Sequence, residues 1–425
     1  MSDSISRRTF LKCAAIGTLV AFPVATYAVR RWRGKSSSIL GTVFDVEPLP
    51  IPDEVSGPFR TRTCVSSDEK HLLLAGRSPL PKEAANVFLG GGTKDDVKIL
   101  ENSLGQSLYV SSWSPKKKED YRCIAKFSEP CFIQAMAVHS VTSNVAFFSR
   151  ESWLNRQYPE TIRQKINKAN PLLDVLYTLP LGGGTPIPLQ AFPDPFTRKG
   201  AMAAVVIQAD LESVLFPVSL CWHSNGESIY CLMDKKIIRV FLDGKSQEIF
   251  DLSNNHVASS FSYNESGLSF VNCRYPDHPD SKTPANEPPS LITLDDNGVI
   301  KSQKNLLPFP LGANDCLFNV VFNEKKWAAL TPTFSEVGSS QQLEGFKLEV
   351  IDLDVLSSGV SRKILSDIQE NIMFDLCHFF PGSHEVLAIQ YNKFLGMSGK
   401  KTQLKFSQDG GVDFNQFLRI KITWS

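Results

Sequence analysis

Short apolar stretches separated by polar turns recur along the chain, and their spacing predicts pairs of antiparallel strands. In each copy, the apolar residue that ends one strand is followed seven places later by an apolar residue of the next. The clearest copy runs from Cys221 to Tyr230, where Asn225-Gly226 can supply the positive φ angles of a tight turn. The six copies are Val65 to Leu72, Val138 to Val145, Trp222 to Ile229, Phe261 to Leu268, Val321 to Ala328 and Phe379 to Val386.

A second pattern follows each of these hairpins: an apolar-x-apolar strand that runs into a turn rich in Gly or Asp. Its copies are residues 87–92, 177–184, 240–244, 291–298 and 350–354, with a weaker sixth copy at 394–396. Two hairpins per unit form a four-stranded antiparallel sheet, and a ring of such sheets leaves few exposed edges. The repeats therefore predict an all-β fold, a β-propeller with six four-stranded blades. Seven blades are the alternative, because the longest spacing between units, 84 residues, has room for an irregular blade.

Two further segments complete the predicted architecture. Residues 151–176 contain apolar positions, among them Ile162 and Leu172, at spacings that predict a short amphipathic helix inserted between blades. Residues 39–46 are predicted to add a strand that closes the ring against residues 417–423.

The repeated hairpins resemble those of TolB-like and dipeptidyl-peptidase-type propellers over about residues 60 to 400. In those families the first hairpin of a blade carries a Ser-Pro-Asp-Gly-like turn and the second a Gly- or Asp-rich turn. Residues 224–226 and 295–298 are degenerate versions of these turns. The resemblance implies a fold but no activity. The G-x-S-x-G nucleophile motif of the hydrolase domain that accompanies some of these propellers is absent from the sequence.

The first 35 residues follow a different pattern from the rest of the chain. A Ser-Arg-Arg-Thr-Phe-Leu-Lys segment, residues 6–12, precedes an uncharged and mainly apolar run from Cys13 to Val29. This resembles twin-arginine (Tat) signal peptides, which are read by a receptor and direct export of folded proteins by the Tat machinery. The residues that match the Tat motif are Arg7, Arg8, Phe10, Leu11 and Lys12. The chain is accordingly divided into a signal peptide or anchor, residues 1–35, and a single propeller domain, residues 36–425.

What remains of the signal after export depends on cleavage. Ala28 preceded by Thr26 fits a small-x-small cleavage site, and four basic residues follow the apolar run at Arg30, Arg31, Arg33 and Lys35. An uncut run would remain as a membrane anchor, although 17 residues are at the lower limit for spanning a bilayer. No later segment approaches 18 apolar residues. We expect a periplasmic or extracytoplasmic protein that contacts the membrane only through its N-terminal segment.

Composition and charge give no reason to expect nucleic acid as a partner. The chain is 42% hydrophobic and 21% charged, as in ordinary globular proteins. Its formal net charge is +1, and seven basic residues and one acidic residue lie in residues 1–35, so the remainder carries about −5. A mildly acidic body has no electrostatic attraction for phosphate backbones.

Eight cysteines lie outside the signal, and none belongs to a CxxC or zinc-binding pattern. Two pairs flank turns: Cys221 with Cys231, and Cys123 with Cys131. Each pair could face its partner across a hairpin and form a disulfide after export. The other interpretation is that these cysteines are small buried apolar residues.

Three histidines are the candidates for a metal or redox centre. His139 and His223 occupy the same position in the turns of successive units, and His378 lies two positions earlier, which along a strand is the same face. Equivalent positions of a propeller converge on its central channel, where imidazoles could bind a metal. The other interpretation is that each histidine is hydrogen-bonded locally at a strand end. No motif identifies a cofactor or a catalytic residue.

These features favour an exported, non-catalytic propeller scaffold that binds a protein or a cell-envelope ligand, because the repeats account for most of the informative residues. The alternative is an enzyme or electron-transfer subunit whose metal or redox cofactor lies in the channel. That alternative is motivated by the export signal and the three histidines.

Overall fold

The structure is a computed structural model that describes most of the chain between Val43 and Thr423. The described residues are 43–56, 61–81, 83–84, 87, 93–153, 157–166, 170, 172–193, 218–233, 235–252, 256–274, 290–305, 320–323, 326–337, 340–352, 363–369, 373–380, 385–391 and 415–423. The predicted export motif, Arg7 to Lys12, lies outside them. Within these ranges no helix has the length and apolar character needed to cross a bilayer.

The described chain is mostly strand. The elements in order are β1 (Val43–Leu49), β2 (Arg62–Val65), β3 (His71–Gly76), α1 (Lys94–Asn102), β4 (Gln106–Ser112), β5 (Arg122–Phe127), β6 (Cys131–His139), β7 (Asn144–Ser152), α2 (Glu160–Arg163), β8 (Leu172–Pro180), β9 (Ile187–Pro193), β10 (Ser219–Trp222), β11 (Ser228–Met233), β12 (Lys236–Phe241), β13 (Ser246–Asp251), β14 (His256–Asn264), β15 (Gly267–Arg274), β16 (Ser290–Leu294), β17 (Ile300–Asn305), β18 (Val320–Asn323), β19 (Lys326–Val337), β20 (Ser340–Asp352), β21 (Lys363–Gln369), β22 (Met373–Phe380), β23 (Glu385–Tyr391) and β24 (Asn415–Thr423). Short 3-10 helices lie at Asp53–Val55 and Lys118–Asp120.

Among the described residues, the strands form six four-stranded antiparallel sheets. Sheets 1 to 5 are the consecutive meanders β2–β5, β6–β9, β10–β13, β14–β17 and β18–β21. Sheet 6 combines β22, β23 and β24 with β1 from the other end of the chain. The first strands contact one another in order, from β2 through β6, β10, β14 and β18 to β22, and β22 contacts β2. This is the arrangement of blades in a β-propeller.

The seven-residue spacing in the sequence marks residues that pair at the turn of each first hairpin. Five of the six predicted pairs lie directly opposite each other: Val65 and Leu72, Val138 and Val145, Trp222 and Ile229, Val321 and Ala328, Phe379 and Val386. In sheet 4, Tyr263 rather than Phe261 lies opposite Leu268, because β14 and β15 pair up to Asn264 and Gly267 and leave only two residues in the turn.

Both faces of the inner strands are buried, because each sheet packs between two others. On β7, Phe147 belongs to the apolar cluster between sheets 1 and 2, whereas Phe148 belongs to the cluster between sheets 2 and 3. On β11, Cys231 faces sheet 2 and Tyr230 faces sheet 4 in the same alternation. Strands of this kind read as continuous apolar runs, since successive side chains point to opposite faces that are both covered.

Two expectations about secondary structure differ from the structure. Residues 87–92 were expected to supply the third strand and turn of sheet 1, but that strand is β4 and helix α1 lies in the connection before it, while residues 88–92 themselves lie outside the described residues. A capping box begins α1: Thr93 Oγ1 accepts from Asp96 N, and Asp96 Oδ2 accepts from Thr93 N. The helix expected in residues 151–176 is the single turn α2, and Leu172 begins β8.

The strand register does not bring the predicted disulfide partners together. Cys221 lies opposite Tyr230, one position away from Cys231, so the two cysteines point to opposite faces of sheet 3. Cys123 lies in β5 of sheet 1, whereas Cys131 begins β6 of sheet 2. All four are free thiols. Burial raises the pKa of both Cys221 and Cys231, which keeps them protonated and fits the buried-apolar interpretation.

The meander connectivity gives the sheets two different ends. We call the end that carries the first-to-second and third-to-fourth strand connections the turn end. Among the described strands, the longest connection at this end is residues 353–362, between β20 and β21. The opposite, loop end is where the long connections begin and finish: residues 50–61, 77–105, 153–171, 194–218, 275–289, 306–319 and 392–414. Because Val43 pairs with Thr423, the pairing predicted between the chain ends is present, and β1 begins at the turn end.

Candidate functional site at the turn end

Side chains at the turn end link each of the first three sheets to the next. In every case a residue of one turn reaches a turn of the neighbouring sheet, so these turns form one continuous chain of contacts. The bonds are Ser67 Oγ to Ser140 Oγ at 3.2 Å, His139 Nε2 to the Ser224 carbonyl oxygen at 3.1 Å, and His223 Nε2 to Asp296 Oδ2 at 3.1 Å.

His139 and His223 use their ring nitrogens in the same way. Nδ1 accepts a backbone N–H of its own turn, from Thr142 in one case and Asn225 in the other, each at 3.1 Å. With Nδ1 as the acceptor, Nε2 carries the hydrogen and donates to the next sheet. Both imidazoles are therefore occupied at both nitrogens, and they tie sheet 2 to sheet 3 and sheet 3 to sheet 4.

The structure describes the side chains of two of the three histidines proposed for a metal centre. His139 and His223 lie in different interfaces between sheets, and no group of three or more His, Cys, Asp or Glu side chains in the described part of the chain is placed to hold a metal ion. The backbone of His378 lies in β22 opposite Leu387. Its side chain is outside the described part, so a role for His378 stays a prediction.

A dense polar group at the turn end surrounds Asp296, between sheets 3 and 4. Asp296 Oδ1 accepts from the hydroxyl groups of Tyr263 at 2.7 Å and Tyr230 at 3.2 Å, and Oδ2 accepts from His223. Tyr263 stacks on Tyr230 with ring centroids 5.4 Å apart. Arg239 Nη1 donates to the Asp296 carbonyl oxygen at 3.5 Å. We call these five residues the Asp296 cluster.

The charges of the Asp296 cluster follow from this geometry. Burial by itself raises the pKa of Asp296, but hydrogen bonds from Tyr263 and His223 outweigh it and hold the pKa below the usual carboxyl value. Burial, reinforced by the bond to Asp296, raises the pKa of Tyr263 to about 12. Near neutral pH Asp296 is therefore ionised and the Tyr263 hydroxyl is protonated. The hydrogen bonds that Asp296 accepts from His223 and Tyr230 join sheet 4 to sheet 3.

This geometry gives the Asp296→Asn variant a defined pH dependence. A depressed pKa means that ionised Asp296 stabilises the fold above the unfolded carboxyl pKa of about 3.9, and that this stabilisation is lost as the pH falls through the folded value. We expect the variant to melt slightly below the parent protein at pH 7, because solvent screens the charge of a side chain that is 45% exposed. We expect the two thermal midpoints to converge as the pH falls from about 5 towards 2.

The matched control for this pH series is Asp251→Asn, which removes an exposed carboxylate at the end of β13 outside the cluster. A constant difference between the Asp296→Asn and parent midpoints across the series would show that ionisation of Asp296 does not contribute to stability. Tyr263→Phe, which removes the 2.7 Å donor, should reduce the pH dependence of the difference.

Large exposed apolar side chains are also concentrated at the turn end. In the part of the chain where exposure is described, the structure has five of them, on sheets 2, 3 and 4. They are Val141 (85% exposed) in the β6–β7 turn, Leu242 (42%) in the β12–β13 turn, Val299 (61%) in the β16–β17 turn, and Ile187 (58%) and Ile300 (46%) at the starts of β9 and β17. Single exposed apolar residues are common, and among the residues whose exposure is described these five all lie at the turn end. We call them the turn-end apolar set.

Sequence reasoning did not identify the Asp296 cluster. The segment from Asp295 to Gly298 was read only as a turn, and turn chemistry does explain Asp295, whose Oδ1 accepts the N–H groups of Asn297 at 2.9 Å and Val299 at 2.8 Å. Asp295 alone satisfies the hydrogen bonds of this turn, so the presence of a second acidic residue, Asp296, was the available signal for the cluster. Its partners come from other strands and could not be assigned from spacing.

Comparisons with known proteins give structural neighbours of low similarity. No protein-family model matches the chain, and no curated protein matches it. Among similar solved structures, a TolB-type protein of Agrobacterium tumefaciens is 12% identical with a TM-score of 0.37, and the match covers 87% of this chain and 92% of that chain. The oligogalacturonate lyase of Vibrio parahaemolyticus is 10% identical with a TM-score of 0.40, and the match covers 89% of this chain and 97% of that chain. The Swd1 β-propeller domain of Myceliophteria thermophila is 9% identical with a TM-score of 0.37, and the match covers 88% of this chain and 100% of that chain. Similarities of this size assign no activity.

Proposed function

We propose that this protein is an exported, six-bladed β-propeller that acts as a non-catalytic scaffold and binds a protein or cell-envelope ligand through its turn end. The observation that supports the proposal is the turn-end apolar set, because the five large apolar side chains found exposed in the part of the chain with described exposure all lie at this end. In this proposal residues 36–425 form a single domain, and β1 closes the ring by pairing with β24.

The polar groups of the turn end support a scaffold rather than an enzyme. Both described histidines of the repeated turns are hydrogen-bonded at both nitrogens, and Asp296 is surrounded by donors that hold it ionised. General acid–base catalysis instead uses groups poised near the working pH and within reach of a substrate. These side chains therefore serve cohesion between blades, and the apolar set is left for ligand contact.

Metal analysis of protein purified from the exported fraction tests the scaffold proposal. We expect no stoichiometric metal and no visible chromophore. Stoichiometric metal or a chromophore would contradict the proposal and favour the alternative of a metal- or redox-containing enzyme or electron-transfer subunit. His139→Ala together with His223→Ala would then show whether these histidines hold the metal. Intact mass on the same sample shows whether residues 1–28 have been removed.

Export through the Tat machinery is tested by replacing Arg7 and Arg8 with lysine. The charge is kept and only residue identity changes, so a receptor that reads the arginine pair should reject the variant, and the protein should accumulate in the cytoplasm. The matched control replaces Arg30 and Arg31 with lysine and should be exported normally. Normal export of the first variant, measured by fractionation and immunoblotting, would contradict the Tat assignment.

A further inference from the structure

We propose that the Asp296 cluster is a site of reversible one-electron oxidation, at which Tyr263 gives an electron to a diffusible one-electron oxidant and its hydroxyl proton passes to Asp296. A peroxide-derived radical is an oxidant of this class. The O–H bond of Tyr263 breaks, an O–H bond forms on the carboxylate, and the oxidant gains the electron. The products are a neutral tyrosyl radical and a protonated carboxyl group. This inference goes beyond the scaffold role and does not depend on what the turn end binds.

A proton acceptor is already bonded to the Tyr263 hydroxyl. A phenol that loses an electron becomes a strong acid, so oxidation is easiest where the proton can pass to a neighbouring base. Such a base has to lie within about 2.6–3.2 Å of the group that releases the proton. Asp296 Oδ1 lies 2.7 Å from the Tyr263 hydroxyl oxygen. Even a carboxylate of low basicity accepts a proton from an oxidised phenol, so electron and proton can leave Tyr263 together.

The groups around Tyr263 also suit the oxidised product. His223 Nε2 lies 3.0 Å from the Tyr263 oxygen. Because His223 Nδ1 accepts the Asn225 N–H, Nε2 carries the hydrogen and can donate to that oxygen once its own proton has left. The transferred proton stays on Asp296, one hydrogen bond away. A reductant that returns the electron therefore restores the hydroxyl, which makes the oxidation reversible.

Tyr230 shares the same carboxylate oxygen but is the poorer electron donor. Its hydroxyl lies 3.2 Å from Asp296 Oδ1, and the residue is fully buried. The Arg239 guanidinium lies 5.5 Å from the centroid of its ring. A cation beside an aromatic ring attracts the ring electrons and so opposes the removal of one. Tyr263 is half-buried and stacks on Tyr230 with centroids 5.4 Å apart, so an oxidant that approaches from solvent meets Tyr263 first.

A second pair of tyrosines separates the effect of hydrogen bonding from that of exposure. The hydroxyl groups of Tyr158 and Tyr177 donate to Glu151 Oε1 at 2.6 and 2.5 Å. These three residues are at most 7% exposed, whereas the Asp296 side chain is 45% exposed. An oxidant that acts on contact therefore reaches the Asp296 cluster and not the tyrosines bonded to Glu151, although both sets donate to a carboxylate.

Hexachloroiridate(IV) tests the proposal on the full-length protein, because it is an anionic one-electron oxidant whose colour is lost on reduction. Cys123, an exposed thiol, is first blocked with N-ethylmaleimide so that it does not compete. Radicals are captured with a nitroso spin trap and mapped by peptide mass spectrometry. We expect severalfold more adduct on Tyr263 than on Tyr158 or Tyr177, and slower oxidation in heavy water. Absence of adduct from Tyr263, or equal rates in ordinary and heavy water, would overturn the proposal.

Variants show whether Asp296 takes the proton. Asp296→Asn removes the acceptor and should lower the adduct yield at Tyr263 severalfold. Loss of a negative charge by itself favours approach of the anionic oxidant, so a lower yield cannot come from charge. The control Asp251→Asn removes an exposed carboxylate outside the cluster and should leave the yield unchanged. Undiminished yield in Asp296→Asn, or transfer of the full yield to Tyr230 in Tyr263→Phe, would overturn the proposal. If Asp296→Asn does not fold, the heavy-water comparison on the unaltered protein decides alone.

Discussion

Replacing Asp174 by alanine is expected to lower the free energy of unfolding by about 3–5 kcal/mol. Asp174 lies in β8 opposite Arg150 of β7, and the guanidinium donates from Nε to Oδ1 at 2.6 Å and from Nη2 to Oδ2 at 2.7 Å. The two side chains are only 1% and 7% exposed. Removing the carboxylate leaves the charge of Arg150 buried without its bidentate acceptor, which costs far more than the net contribution of the intact pair.

The matched control removes a carboxylate from an exposed ion pair. Glu248 in β13 contacts Lys236 Nζ at 2.7 Å, with both side chains about half exposed, and Glu248→Ala should leave the denaturation midpoint unchanged because solvent screens such pairs. The denaturation midpoint of Asp174→Asn should fall between those of Asp174→Ala and Glu248→Ala, since the amide oxygen still accepts one hydrogen bond. Equal urea midpoints for Asp174→Ala and Glu248→Ala would show that burial of the Arg150 pair has no energetic consequence.

Gly298→Ala is expected to destabilise the protein by about 3 kcal/mol or more, because two costs add at this position. Gly298 has φ of +82°, a conformation that a residue with a Cβ atom adopts only with strain. A Cβ atom there would also lie 1.8 Å from the Ile249 carbonyl oxygen of β13. Backbone atoms cannot rotate away as a flexible side chain can, so the turn would have to separate from sheet 3.

Gly182→Ala is the matched control for this substitution. Gly182 lies in the equivalent turn of sheet 2, and no atom lies within 4 Å of the position its Cβ would occupy. We expect its thermal midpoint to equal that of the parent protein or to rise slightly, since alanine restricts the unfolded chain. A Gly298→Ala midpoint equal to that of Gly182→Ala would contradict the close docking of the β16–β17 turn on sheet 3.

The all-β architecture and most of its hairpins were accessible from the sequence, because they depend on local chemistry. Short apolar runs define the strands, and turn residues such as Asn225-Gly226 mark the tight connections between them. The spacing from Val65 to Leu72 predicts a pairing because a hairpin brings together residues close in the chain. The same local logic misplaced the third strand of sheet 1, which is β4 and follows a helix that begins after the capping box at Thr93.

Only the tertiary structure decided which side chains meet across sheets. Tyr230, Tyr263 and Asp296 are up to 66 residues apart, and their convergence depends on how sheets 3 and 4 pack, which no spacing along the chain specifies. Cys221 pairs with Tyr230, one position away from Cys231, so the two cysteines point to opposite faces of one sheet, since strand side chains alternate with a period of two. The entry of the chain at the turn end likewise follows from long-range pairing of β1 with β24. Local chemistry therefore determined the strands and their turns, whereas contacts between distant segments determined the Asp296 cluster and the order of the sheets.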